Sequence, residues 1–162
     1  MLSDISLINE FEFSGKMTED HCSETIKSKH KSSNLIYAIK RCPQESFISS
    51  EREIDFQREK AILFDISKKN YPTIPKLYNS FEDASYRYLL MDYYEGINLE
   101  NYLLSQTGNI EDNIIIHILK EMLKTLSFLH NDCHIMHRNI KPNTIIIDKN
   151  NNIKLIGFHY AA

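Results

Sequence analysis

The chain has 162 residues, 42% hydrophobic and 25% charged, with 4 glycines and 4 prolines, a composition that excludes collagen-like and disordered low-complexity classes. No apolar run approaches the roughly 20 residues of a membrane-crossing helix, and the start MLSDISLINEFEF has neither the basic nor the long apolar stretch of a secretory signal. A net charge of -3 leaves no electrostatic footprint for nucleic acid or an anionic membrane, and three widely spaced cysteines, Cys22, Cys42 and Cys133, make no disulfide framework.

From the N-terminus, Phe11 and Phe13 alternate, a polar stretch follows, and Ile26 precedes LIYAIKR, a pattern of short antiparallel strands over 11–40. After Pro43, the span 50–67 sets Ile54, Ala61, Ile62 and Ile66 near helical spacing with charges between them, and Ser49 or Ser50 is available as N-cap. Pro72 and Pro75 then break the chain before KLYNSF and YRYLLMDYY, two strands joined by turn residues 82–85. LENYLLS reads as a short helix. Beyond the turn near Gly108, residues 112–129 carry Ile114, Ile115, Ile118, Leu119, Met122, Leu126 and Leu129 on a broad apolar face, which predicts a mostly buried helix. TIIIDKNNNIKLIGF closes the chain as a hairpin around an Asp-Lys-Asn turn.

Four segments stand in a telling order: IYAIK ending at Lys40, REKAIL with Glu59, LLMDYYEG at 89–96, and HRNIKPNTIII followed by IKLIGF. Together they resemble a eukaryotic protein kinase of the Ser/Thr type, since IKP follows the HRN triplet. The resemblance implies an α+β, two-lobed protein-kinase-like fold. Its smaller lobe is an antiparallel sheet plus one long helix, followed by an incomplete helical larger lobe. On this reading 1–10 is an N-terminal extension, 11–93 the smaller lobe, and 94–162 a partial larger lobe ending just past the Asp-Phe-Gly position, without activation segment or substrate platform.

Phosphoryl transfer rests on positioning phosphates, holding magnesium and orienting an attacking hydroxyl. Against the family pattern, Lys40 and Glu59 match the strand lysine and helix glutamate that serve the phosphates. They read equally as a structural ion pair that positions the helix. The glycines of the phosphate loop fall on Thr18, Asp20 and Ser23, and Gly15 lies too far upstream to compensate. The base position of His-Arg-Asp is Asn139, and an amide accepts no proton. The magnesium-binding asparagine falls on Thr144, with Asn143 one place early, and the metal-binding Asp of Asp-Phe-Gly falls on Gly157, with His159 at the motif glycine. None of these degenerate positions, Asn139, Thr144 and Gly157, supports catalysis, and no metal site is expected.

The framework around the nucleotide is better kept. Ala38 and Ile146 match the surfaces above and below an adenine, Thr25 replaces the usual valine, Met91 is the gatekeeper, the backbones of Asp92 and Tyr94 match the groups that bond the adenine edge, and Asn98 falls near the ribose. Lys141 matches the lysine aimed at the transferring phosphate. Leu63, Leu77, His137 and Phe158 match the side-chain column that ties kinase lobes together. His130, Cys133, His134 and His137 have a superficial metal-ligand spacing, but they span a helix end and a turn in which His137 already packs, so a zinc site is not expected. Cys22 and Cys42 read as plain thiols.

The resemblance with these departures implies a pseudokinase that binds or scaffolds proteins. ATP would bind weakly and without magnesium, and the location would be cytoplasmic, with the nucleus as the alternative. A protein partner or a second copy would cover the part of helix 112–129 that missing helices leave exposed, and neither nucleic acid nor membrane is expected. The rival readings are an atypical active Ser/Thr kinase, in which His159, Asp148 or another carboxylate substitutes, and a vestigial fragment.

Overall fold

The computed structural model describes residues 5–19, 23–48, 50–108 and 110–162. The chain divides into two units: the described residues up to Lys60 with Lys76–Tyr93, and Ala61–Pro75 with Tyr94–Ala162.

In the first unit a short helix α1 (Ile5–Ile8) precedes strands β1 (Phe11–Glu19), β2 (Glu24–His30), β3 (Ile36–Pro43), β4 (Leu77–Glu82) and β5 (Tyr86–Asp92). They form one antiparallel sheet in the order β1-β2-β3-β5-β4, as the alternation of Phe, Ile and Tyr predicts. One face packs Phe11, Ile39, Phe81, Tyr88 and Leu90 together, and Leu7 and Ile8 of the N-terminal segment seal that cluster. The β4–β5 turn falls where 82–85 predicted it. Asp83 Oδ1 accepts the backbone N–H groups of Ser85 and Tyr86, and Oδ2 accepts the Tyr88 hydroxyl. Partial burial pushes the Asp83 carboxyl up, but these donors outweigh it and hold the acid below its usual range.

Helix α2 (Ser50–Lys69) follows β3, with Glu51 and Glu53 in its first turn and Lys68 and Lys69 in its last, the charge order that suits a helix dipole. The cap expected at Ser49 or the Ser50 side chain lies outside the described residues. The predicted apolar stripe needs correction: Ile54 and Ala61 are exposed, and the buried side chains are Phe56, Glu59, Leu63 and Ile66. A carboxylate occupies a core-facing position, so a reading by hydropathy alone rotates the stripe.

The second unit holds a small antiparallel sheet, β6 (Ile97–Asn98), β7 (Ile145–Ile147) and β8 (Ile153–Leu155), in the order β6-β7-β8, with helices α3 (Leu99–Ser105) and α4 (Asp112–Ser127). Asn98 caps α3 by accepting the Asn101 N–H at 2.7 Å. Helix α4 runs on into a π-type turn, Phe128–Asp132, and its Thr125 hydroxyl meets that of Thr73 at 2.5 Å. Only Ile118, Met122 and Thr125 of α4 are buried, which overturns the mostly buried helix. Ile115, Ile116, Leu119 and Leu123 are 42 to 66% exposed, so the apolar face is largely uncovered among the described residues.

Candidate functional site

Strand parity sets the candidate positions of the first unit. Along β3, Ala38, Lys40 and Cys42 are buried on one face while Ile39 points into the aromatic cluster on the other. Ala38 pairs with Met91 and Lys40 with Leu89 in the β3–β5 ladder, which sets the alanine expected above an adenine beside the residue expected as gatekeeper. Lys40 Nζ lies 2.6 Å from Glu59 Oε2. Both residues are over nine-tenths buried, so the attraction acts at reduced screening. Thr25 stands opposite Lys40.

The phosphate-loop positions contribute no close-approach glycine among the described residues. Thr18 pairs with Thr25, Ser23 is half-buried, and Asp20 lies outside the described residues. A Cβ built on Gly15 meets nothing within 4 Å, so that glycine allows no close contact. Beside this segment Arg41 Nη2 lies 2.5 Å from Glu24 Oε1, and Lys16 approaches the same carboxylate. Burial raises Glu24, yet the two cations prevail and its carboxyl ends below the usual range.

At the end of β5, the Asp92 carboxylate accepts the Lys76 N–H at 2.9 Å and the Tyr78 hydroxyl at 2.6 Å, and its own N–H donates to Lys76 O. The carboxylate thus fastens the start of β4 to the end of β5. The Asp92 hydrogen bond, with burial, pushes the Tyr78 phenol up to about 12. In the second unit the Tyr94 hydroxyl donates to Ile74 O, and the Lys154 ammonium sits 4.1 Å over its ring. Next to it, Gly96 performs a task that sequence reading missed. A Cβ there would stand 2.5 Å from Ile147 O and 3.0 Å from Ile146 Cγ2, so only glycine lets the chain pass the strand that carries Ile146. Asn98, expected near a ribose, uses its side-chain oxygen on the α3 cap.

The positions that the resemblance assigns to a catalytic loop, His137 to Thr144, gather in the second unit. Buried His137 packs edge-on against Phe158 at 4.6 Å, its Nε2–H donates to Ile156 O at 3.2 Å, and its Nδ1 accepts the Asn139 N–H at 3.3 Å. Thr144 is 6% exposed. Its hydroxyl lies 2.8 Å from Asn139 O and 2.9 Å from Lys141 O, and accepts the Lys141 N–H at 3.1 Å. The one oxygen at this position is therefore engaged in holding the loop. Asn143 and Lys141 are exposed.

Gly157 adopts φ +84 and ψ 52, a left-handed conformation that glycine takes without strain. The Asn139 amide nitrogen lies 3.4 Å from Gly157 O and 3.5 Å from His159 Nε2. Asn139, Thr144, Gly157 and His159 thus form one polar cluster, and Asn139, Thr144 and Gly157 are the residues expected from the resemblance at the base and metal positions. Asp148 is engaged elsewhere: it accepts from the backbone of Asn150 and Asn152 and from the Asn152 amide. Slight burial raises it, but these donors and Lys154 hold it below the usual carboxylate range. It is a turn residue.

Among the described residues no three of His, Cys, Asp or Glu gather as a metal-binding group. His130 and His134 are exposed while His137 is buried. A cavity of about 290 Å³ in the second unit is lined by Ala61, Ile62, Asp65, Ile66, Lys69, Cys133 and Ile135, none of them a candidate nucleotide or catalytic position. Burial raises the Cys133 thiol, Lys69 opposing, so it stays protonated at neutral pH.

The sequence profile of the protein kinase domain matches residues 11–162. The chain is 36% identical over 130 residues to the dual specificity protein kinase zakA of Dictyostelium discoideum, covering 74% of this chain and 16% of that protein. It is 32% identical to the probable serine/threonine-protein kinase pkgA of the same organism, over 95% of this chain and 11% of the relative. With the Aurora kinase of Saccharomyces cerevisiae it shares 31% identity over 95% of this chain and 41% of that protein. The chain thus spans less than half the length of each of these relatives. With the sheet, the buried lysine–glutamate pair and the His137–Phe158 contact in place, the profile match over nearly the whole length settles the kinship: this chain belongs to the eukaryotic protein kinase family, whose domains use ATP.

Proposed function

We propose that this chain is a pseudokinase: a kinase-family domain that binds ATP weakly and without magnesium, transfers no phosphate, and acts by binding another protein. The observation that carries the reading is the donor set of the Asn139–Thr144–Gly157 cluster. Magnesium requires hard oxygen donors, usually carboxylates, at near-octahedral geometry. Here one metal position has no side chain and the other has a hydroxyl engaged with Asn139 O and Lys141 O. These residues do not fit magnesium. Loss of a general base typically costs roughly a hundred- to ten-thousand-fold in rate, and loss of the metal's electrostatic support adds to that.

The buried Lys40–Glu59 pair and the residue types kept at Ala38, Met91 and Ile146 support residual nucleotide binding. The same pair favours a second reading, an atypical active kinase of the Ser/Thr class borne in the name of one Dictyostelium relative. Ile115, Ile116, Leu119 and Leu123 on α4 are the surface we assign to protein contact. Among the described residues no helix is long and apolar enough to cross a membrane, and we place the protein in the cytoplasm.

A thermal-shift series with ATP, with and without magnesium, beside a labelled-phosphate transfer assay, tests the reading. Ligand that binds the folded state raises the melting temperature by mass action. The expected result is a small, magnesium-independent shift and no transfer above a Lys40→Ala control. Magnesium-dependent stabilisation together with transfer above that control establishes the active-kinase reading in its place.

A further inference from the structure

We propose that Asn139 is a latch: its amide holds the Gly157–Tyr160 turn closed, so the site has been rebuilt around neutral groups and does not regain function when the aspartates are put back. The proposal deepens the pseudokinase reading and rests on it. Three features of the cluster carry it.

The first is hydrogen-bond polarity. The Asn139 side-chain NH₂ has two protons and lies against Gly157 O at 3.4 Å and His159 Nε2 at 3.5 Å, and the latch requires both to accept. An ionised aspartate has acceptors only, so at 139 it would set an oxygen against the Gly157 carbonyl and could bond His159 only after Nε2 takes up a proton. The second is backbone conformation. At φ +84 a Cβ on residue 157 would lie 3.1 Å from Thr144 Cγ2 and 3.3 Å from Asn139 Nδ2, so an aspartate there meets both left-handed strain and crowding. The third is that both ends of the turn are anchored independently. His137 bonds Ile156 O on one side. On the other, Arg138 Nε donates to Tyr160 O at 2.6 Å, and Met136 and Ala162 exchange backbone bonds of 2.7 and 3.0 Å. The turn between these anchors is held from the catalytic loop by Asn139.

The latch makes a claim about His159 that a merely structural asparagine would not require: Nε2 must be an acceptor, so it carries no proton in the wild type. Imidazole ¹⁵N spectra of the labelled full chain, with His159 assigned through a His159→Gln variant, read this directly. The expected result is an unprotonated Nε2 in the wild type and a protonated Nε2 in Asn139→Asp, where the new carboxylate accepts from it. Amide exchange over 157–160 is expected to accelerate by about tenfold or more in Asn139→Ala, which removes the donor without adding charge. An Nε2–H signal in the wild type, or unchanged exchange in Asn139→Ala, overturns the latch. So does magnesium-dependent transfer by the Asn139→Asp/Gly157→Asp double variant. Transfer by the wild type is a different outcome: it overturns the pseudokinase reading and with it the silencing role, whereas failure of the ¹⁵N or exchange result removes the latch and leaves that reading standing.

Discussion

Lys40 and Glu59, 19 positions apart in the chain, meet at 2.6 Å with both side chains almost fully buried. Removing one partner deprives the other charge of its counter-charge at a site largely shielded from water, which costs about 3–5 kcal/mol. Glu59→Ala and Lys40→Ala are each expected to lower the unfolding free energy by that order in urea titrations, while Lys40→Met/Glu59→Leu recovers most of the loss. Single variants within about 1 kcal/mol of the wild type would contradict a buried pair.

Gly157→Ala is expected to destabilise the chain by about 1–2 kcal/mol, because an L-residue at φ +84 is strained. Part of that cost is contact with Thr144 Cγ2. Thr144→Ser keeps the hydroxyl that bonds Asn139 O and Lys141 O and removes the methyl, so the alanine variant should be less harmful in that background. Thermal denaturation of the four proteins measures the coupling.

Acid should weaken the fold through depressed carboxyls, and Asp148 is a clean case. Its carboxyl lies below the ordinary value of 3.8 in the folded chain, so its contribution is complete above that value and is lost as pH falls through the folded one. Asp148→Asn is expected to flatten the acid limb of a stability-against-pH curve, measured by urea titration from pH 7 downward. An unchanged acid limb counts against the Asp148 turn as a source of stability.

Tyr78 sits at the opposite end of the scale. The Asp92 carboxylate and burial raise its phenol to about 12 from 10.0, so the stabilisation is complete below pH 10 and disappears as pH rises through the folded value. Titration of phenolate absorbance should show one fewer late-ionising tyrosine in Tyr78→Phe. In Asp92→Asn, Tyr78 should ionise earlier.

The exposed face of α4 gives the last test. Leu119 and Leu123 are 56% and 66% exposed, so Leu119→Lys/Leu123→Lys should change the unfolding free energy by no more than about 0.5 kcal/mol per site. The same change should abolish self-association or partner capture read by analytical ultracentrifugation. A large loss of stability with unchanged association would remove this face from the binding role.

Much of the fold was legible because it is written in local patterns. The Phe11–Phe13 alternation, the YRYLLMD run, the two proline breaks and the TIIIDKNNNIKLI hairpin all became strands or turns at the expected places. Helix α2 was legible in extent but not in orientation. Its inward stripe includes Glu59, and hydropathy has no way to place a carboxylate in a core whose matching cation lies on β3. Helix α4 is less buried than its sequence predicts, because an apolar face states a preference for burial, while burial itself requires a neighbour.

At the candidate site the division is physical. Which side chains stand at the positions the resemblance assigns to metal and base, glycine, threonine and asparagine, is a matter of covalent chemistry, so residue identity alone determined which donors that reading lacks. What those replacements do instead depends on distances between residues far apart in the chain. The engagement of the Thr144 hydroxyl by the catalytic loop, the reach of the Asn139 amide to Gly157 and His159, and the passage of Gly96 beside Ile147 exist only once the backbone has closed. Spacing along a sequence carries no information about such non-local geometry, and only the tertiary structure decided it.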